Sequence, residues 1–289
     1  MPITDAHVHF WDTTERSHPW LEDEPRLNRP HLPADLDLDS VPDVQRIVVI
    51  EADCRPEESV DEARWFASLR ESEPRVAAIV ADVVLDSPEL TSRLDELAAI
   101  DLVTGVRHLF QGHPSGHITD PAVIAGAAQV AERGLVFDAC IQHQQLPELI
   151  EFVRALPQLT IVLDHLGKPD IAGGVIEPWA GGITELAGLP NVHAKLSGPA
   201  PEADPDAALW PQARPHLEHV VRSFGPGRLL LGSDWPVSTS GPGDRGYSAW
   251  WTLLTDELLT GLDAEALANV THRNADTIYL PAGAQKGNQ

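Results

Sequence analysis

Eight short runs rich in β-branched residues and leucine recur along this chain, at 3–9, 46–52, 76–84, 102–109, 135–141, 160–164, 192–196 and 228–232. Longer amphipathic stretches lie between and after them, near 57–72, 88–99, 121–133, 147–156, 176–188, 207–224 and 247–279. Strands apolar on both faces belong to parallel sheets covered by helices, and repeated strand–helix units build such sheets. Eight units in 289 residues predict an α/β chain closed as a (β/α)8 TIM barrel, one domain over 1–289. The competing open, doubly wound sheet calls for a glycine-rich phosphate loop after its first strand, whereas here His9 runs into Phe10, Trp11 and Asp12. Residues 10–45 form a long first βα insertion containing Trp11, Trp20, Pro25, Pro30 and Pro33. It either covers a site or closes the barrel end by packing. The polar, Gly- and Ala-containing tail over 281–289 is expected to fray.

A closed barrel of this kind keeps its chemistry where the strands end. His7 and His9 sit two apart at the first exit, so strand alternation points both to one side. His165 ends the sixth run and Asp234 the eighth, and barrel closure brings these exits together. Three imidazoles and a carboxylate suit Zn²⁺ or a similar divalent ion at roughly 2.0–2.2 Å, with positions left for water and substrate. Asp5, two residues before His7, is expected on the same face, where it would accept a hydrogen bond that orients a histidine. Of Arg107 and His108, alternation sends one inward. Arg107 is expected to touch substrate, unless it braces the strands by pairing with Asp82 or Glu51.

A formal charge of −24 argues against nucleic acid or an anionic membrane as partner, since both need a basic patch. No apolar run approaches the roughly 20 residues of a membrane span. Met1 to Asp5 lacks a basic start followed by an apolar stretch, so a cytoplasmic protein is expected. Two cysteines, Cys54 and Cys140, cannot make a disulfide framework, and both are expected to be reduced. The partner is a small molecule, with a homo-oligomer left open.

Several motifs in order carry a family resemblance. They are Asp5-Ala6-His7-Val8-His9-Phe10-Trp11-Asp12, Gly105-Val106-Arg107-His108, Gln145-Leu146-Pro147, Val162-Leu163-Asp164-His165-Leu166-Gly167-Lys168-Pro169, Lys195-Leu196-Ser197-Gly198 and Gly232-Ser233-Asp234-Trp235-Pro236. Together, from residue 3 to about 280, they resemble the lactonase branch of the amidohydrolase superfamily. The resemblance implies a barrel that opens a lactone with water, with His7, His9, His165 and Asp234 as the catalytic centre and Asp234 as general base. The same four residues would hold at most one divalent ion, and metal-free operation is equally compatible with the branch. Strand four offers no lysine to bridge two ions. Arg107, Glu51, Gln142, His143, Lys168 and Trp235 are the candidate substrate-binding residues. At the fifth exit Gln142 stands where relatives often carry an Arg-Pro-like pair, and His143 beside it is an extra ligand, a substrate donor or a solvent-facing loop residue. Glu51 is a further ligand, a hydroxyl acceptor or a surface carboxylate, and Trp235 is either a sugar face or packing.

Few cations, Arg107, Lys168 and Lys195, are available to line a site, and a carboxylated lactone would need several guanidinium clamps. A neutral sugar-acid lactone is therefore expected, with Gln111 and Trp20 also suited to a sugar ring. The alternatives are a decarboxylase or hydrolase of an aromatic-degradation acid on the same barrel, and a barrel that binds without catalysis.

Overall fold

The structure, a computed structural model, describes residues 1–41 and 43–280. The expected tail over 281–289 lies outside those residues. Eight parallel strands follow one another around one sheet in chain order. They are β1 (Ile3–Val8), β2 (Val44–Ile50), β3 (Val76–Asp82), β4 (Val103–Leu109), β5 (Val136–Cys140), β6 (Ile161–Leu163), β7 (Val192–Leu196) and β8 (Leu229–Leu231). The last seam closes just beyond β8, where Asp234 N–H donates to the His7 carbonyl and His9 N–H to the Trp235 carbonyl, each at 2.8 Å. This is the (β/α)8 barrel expected from the strand rhythm.

Six helices cover the outside at the expected places: α1 (Ser59–Leu69), α2 (Leu90–Ala98), α3 (Pro121–Glu132), α4 (Leu146–Ala155), α5 (Trp179–Ala187) and α6 (Leu209–Phe224). Local chemistry sets their limits. Asp120 caps α3 by accepting from Ala122 N–H at 2.7 Å, Pro121 opens it, and Gly134 at φ +68° ends it. The stretch over 247–279 is not one helix. It breaks into α7 (Tyr247–Thr252), α8 (Ala264–Ala268) and α9 (Asn274–Tyr279), with wider π-type turns between them.

The two faces of the sheet bury different things. Outward residues such as Ile47, Val49, Phe137, Ile161 and Leu196 pack against the helices in the large core. Inward residues Val48, Ile50, Ala78, Val80, Val162 and Leu230 meet Tyr279 and Leu280, so the end of α9 plugs the barrel's N-terminal half. The upper half is left to polar groups. Of the first insertion, Trp11, Leu21 and Leu27 form a small cluster with Ala52, while Leu36, Leu38 and Val41 join the main core. Among the described residues no helix is long and apolar enough to cross a membrane.

Candidate active site

The four residues drawn from three strand exits do converge. His7 Nε2 stands 3.0 Å from His9 Nε2. Asp234 Oδ1 lies 3.4 Å from His9 Nε2, 3.6 Å from His7 Nε2 and 3.8 Å from His165 Nε2. Each ring is anchored through its other nitrogen. His9 Nδ1 faces the carbonyl oxygens of Glu51, 2.9 Å, and Ile50, 3.2 Å. Carbonyls only accept, so Nδ1 carries the proton and Nε2 presents its lone pair inward. His165 Nδ1 is 3.0 Å from Ser197 Oγ, and His7 Nδ1 is 3.1 Å from Lys195 Nζ and 3.3 Å from Asp164 Oδ1. Anchoring one ring nitrogen so that the other converges is how ligand histidines are oriented.

His7 Nε2, His9 Nε2 and Asp234 Oδ1 lie within 4.8 Å of one another and form a group able to hold one ion. Their 3.0–3.6 Å separations bracket the edge of about 3.4 Å that a tetrahedral centre with 2.0–2.1 Å bonds requires, while His165 Nε2 stands 3.8 Å from the same Asp234 oxygen. Burial lowers the pKa of His165 to about 4 and that of His7 well below its ordinary value, so both rings are neutral donors of a lone pair. Burial alone would raise the Asp234 carboxyl, but the imidazoles of His165, His9 and His7 outweigh it and hold the group far below the usual carboxylate range.

Beneath this set lies a buried ion network. Lys195 Nζ, fully buried, donates to Asp138 and stands 3.0 Å from Asp164 Oδ1, and Tyr279 Oη donates to the other Asp138 oxygen at 2.6 Å. Asp164 also receives Arg107 Nη1 at 3.3 Å. Burial would raise Asp164, yet Lys195 and His7 hold it well below its ordinary value. The network sits under the centre and braces the side of His7 that faces away from the cleft.

Backbone conformation marks the same rim. Asp53, His165, Leu166, Lys168 and Asp234 are the non-glycine residues at positive φ among the described residues, and four of the five line the cleft. Such conformations persist where surroundings over-determine them, commonly at functional sites. Gly198, at φ +67°, sits so close that a Cβ there would overlap the His165 ring, and one on Gly232 would lie 2.7 Å from His7 Cβ.

The cleft above the centre, about 180 Å³, takes its polar walls from His9, Asp53, Arg107, Gln111, Lys168 and Glu202, besides His165 and Asp234. Trp20, from the first insertion, forms part of its wall and ties to the Ala52 carbonyl at 2.8 Å, so the insertion covers the site as well as packing. Arg107 faces the cleft, but its guanidinium is committed to the Glu51 carboxylate, to the Glu51 carbonyl at 2.9 Å and to Asp164. Glu51 is thereby a buried partner of Arg107 and also accepts from Asp53 N–H at 2.6 Å; it is neither a surface carboxylate nor part of the cleft wall. Lys168 lines the cleft and donates to Gln111.

Other expected residues stand elsewhere. Asp5 does not share the face of His7, because a β-bulge between Asp5 and Val8 turns it outward. There it accepts from Ser233 N–H at 2.8 Å and from Tyr247 Oη at 3.3 Å. Gln142 is exposed at the start of α4, where its N–H donates to Gln145, and His143 is held behind the rim with Nδ1 3.0 Å from the Lys168 carbonyl oxygen. Trp235 is packed between Phe10 and His31, ring centroids 5.7 and 5.5 Å away, and contributes no wall to the cleft. Lys195 is likewise beneath the cleft rather than in its lining. His108 points outward toward His113 and His117. That trio is no second centre of the same kind, since Leu85 N–H occupies His108 Nδ1 and the other two rings stack in parallel at 3.9 Å. Asp53, Glu202 and Gly198 were not singled out from sequence for the cleft. The only signal near them was proximity to a strand exit or motif.

The amidohydrolase family model matches residues 4–280. The L-fucono-1,5-lactonase of Burkholderia ambifaria is 35% identical over 267 residues, covering 91% of this chain and 90% of that protein. The L-fucono-1,5-lactonase of Burkholderia multivorans is 31% identical, covering 81% of each. A crystal structure of a B. multivorans amidohydrolase with bound zinc superposes with a TM-score of 0.86 at 28% identity, covering 97% of this chain and all of that one.

Proposed function

The chain belongs to the amidohydrolase family, and on that premise we propose that it hydrolyses lactones, specifically neutral sugar-acid lactones, using His7, His9, His165 and Asp234. Relatives of similar length named as lactonases support the reaction class. The observation that carries the substrate class is the commitment of Arg107: its guanidinium is taken up by Glu51 and Asp164, leaving no free fork for a substrate carboxylate.

Asp234 is the proton carrier. Its depressed pKa keeps it ionised throughout the physiological range, and its Oδ2 is fixed by the Ser238 hydroxyl. So weak a base accepts a proton only from a water of raised acidity. A divalent ion, Zn²⁺ in this reading, would be held by His7, His9, His165 and Asp234 and would supply that acidity and polarise the lactone carbonyl. Water adds to the acyl carbon, Asp234 takes its proton, the bond from acyl carbon to ring oxygen breaks, and Asp234 returns the proton to the departing alkoxide. The product is the open hydroxy acid. Lys195 and Asp164 hold the His7 ring, and Trp20 offers an apolar face to the sugar. The free, buried Cys54 and Cys140 accord with a cytoplasmic location.

A lactone panel read by pH indicator, on metal-stripped and zinc-loaded protein, tests this. Aldonolactones should turn over faster than pyrone dicarboxylates and other carboxylated lactones, and zinc should restore the stripped enzyme. Faster turnover of the carboxylated lactones would reverse the substrate assignment.

A further inference from the structure

Most polar side chains lining the cleft already have protein partners. His9 and His165 are anchored, the Arg107 guanidinium is spent on Glu51 and Asp164, Lys168 gives one of its three donors to the Gln111 amide oxygen, and Asp234 is held by Ser238 and the imidazoles. Two carboxylates differ. Asp53, just after β2, and Glu202, after β7, both line the cleft, and among the described residues neither side chain makes a hydrogen bond or ion pair. An ionised carboxylate is purely an acceptor, with about four lone-pair directions to fill. Two such groups facing a substrate-sized cleft call for a ligand that brings hydrogen-bond donors without negative charge.

We infer that Asp53 and Glu202 are the specificity-determining residues of this cleft: they accept hydrogen bonds from substrate hydroxyl groups and repel carboxylated lactones. The inference rests on the lactonase reading above and names what selects within it. Trp20 lies in the same cleft, so an apolar ring face can rest against the indole while hydroxyls on the ring edge reach the two carboxylates. Selection is double-sided. Charge-assisted bonds reward a polyol. Asp53 and Glu202 beside Asp234 set three carboxylates around the cleft against Lys168, whose charge has no carboxylate within ion-pair distance among the described residues, so the balance penalises an acid. Because neither carboxylate touches the reacting centre's own anchors, their contribution is to binding in ground state and transition state alike.

The test compares wild type, Asp53→Asn, Glu202→Gln and the double variant on an aldonolactone and on a lactone carrying carboxylates, with kcat and KM separated. Since a hydrogen bond to a charged group is worth about 1.5–3 kcal/mol, each single variant should raise KM for the aldonolactone by about ten- to a hundred-fold with kcat little changed. The double variant should at the same time gain kcat/KM on the carboxylated lactone. Thermal midpoints should not fall below the wild-type value, because neither side chain has an intramolecular hydrogen bond to lose and burial raises both carboxyls, so their neutral replacements relieve a cost of the folded state. Wild-type KM values for the aldonolactone in both single variants overturn the inference while leaving the lactonase reading standing. A wild-type enzyme that opens no neutral lactone overturns both.

Discussion

Gly198→Ala is the sharpest probe of how this site is held. A Cβ on residue 198 would overlap His165 Nδ1 and Cγ and stand 2.8 Å from His165 Cβ, about 0.7 Å inside ordinary carbon contact near 3.5 Å. His165 cannot answer by rotation alone, because its own Cβ is crowded and its backbone is already at φ +50°. The ring must shift by about 1 Å, away from Ser197 and out of register with Asp234, and a misplacement of that size costs about a hundred-fold in rate. That is about 2.7 kcal/mol of transition-state stabilisation. Alanine at positive φ adds a folding cost of about 1–2 kcal/mol that has nothing to do with His165. Gly134→Ala separates the two effects, since Gly134 has φ +68° and nothing within 4 Å of an added Cβ. Measured by thermal unfolding and by kcat/KM on an aldonolactone, both variants should lose stability, and only Gly198→Ala should lose about two orders of magnitude in kcat/KM. Equal kcat/KM in the two variants would refute the claim that residue 198 must lack a side chain to seat His165.

Two further outcomes follow from the buried charges. Lys195→Met leaves Asp138 and Asp164, both fully buried, without their shared cation, and should destabilise the fold by about 3–5 kcal/mol in urea titrations; a loss below about 1 kcal/mol would show the network to be dispensable. Burial raises the Asp5 carboxyl to about 7, so ionising it penalises the folded state, and the penalty grows as pH rises from its unfolded pKa near 4 and levels off above 7. Asp5→Asn keeps an oxygen for the Ser233 and His7 N–H groups and an amide to donate to Tyr247 Oη. Relative to wild type it should gain roughly 4 kcal/mol between pH 4 and 7.5, and a pH-independent difference would contradict the assignment.

The ordering of strands and the convergence of His7, His9, His165 and Asp234 were legible because both follow from local periodicity. Alternation on a strand is a property of neighbouring residues, and a barrel makes any strand exit a neighbour of the others. Asp5 shows the limit of that logic. One bulge shifts its parity, and a bulge depends on how β1 pairs with β2 and on what fills the space outside it. The break of 247–279 into separate helices did have a local signal, since Gly261 and Asp263 stand at its main interruption and Asp263 caps α8 by accepting from Ala266 N–H at 2.8 Å.

Residue types alone specified the repertoire: an acidic α/β barrel, three imidazoles and a carboxylate at its mouth, and a small stock of cations. Only the tertiary structure assigned partners within that stock. Arg107 had Asp82 and Glu51 as sequence-level candidates, and it took Glu51 together with Asp164, 57 positions away. Lys195 settled between Asp138 and Asp164 just above the plug that the end of α9 forms. Charges in a low-dielectric interior are matched by distances of a few ångströms, and those distances are created by closing the barrel; no spacing along the chain encodes which buried cation meets which carboxylate.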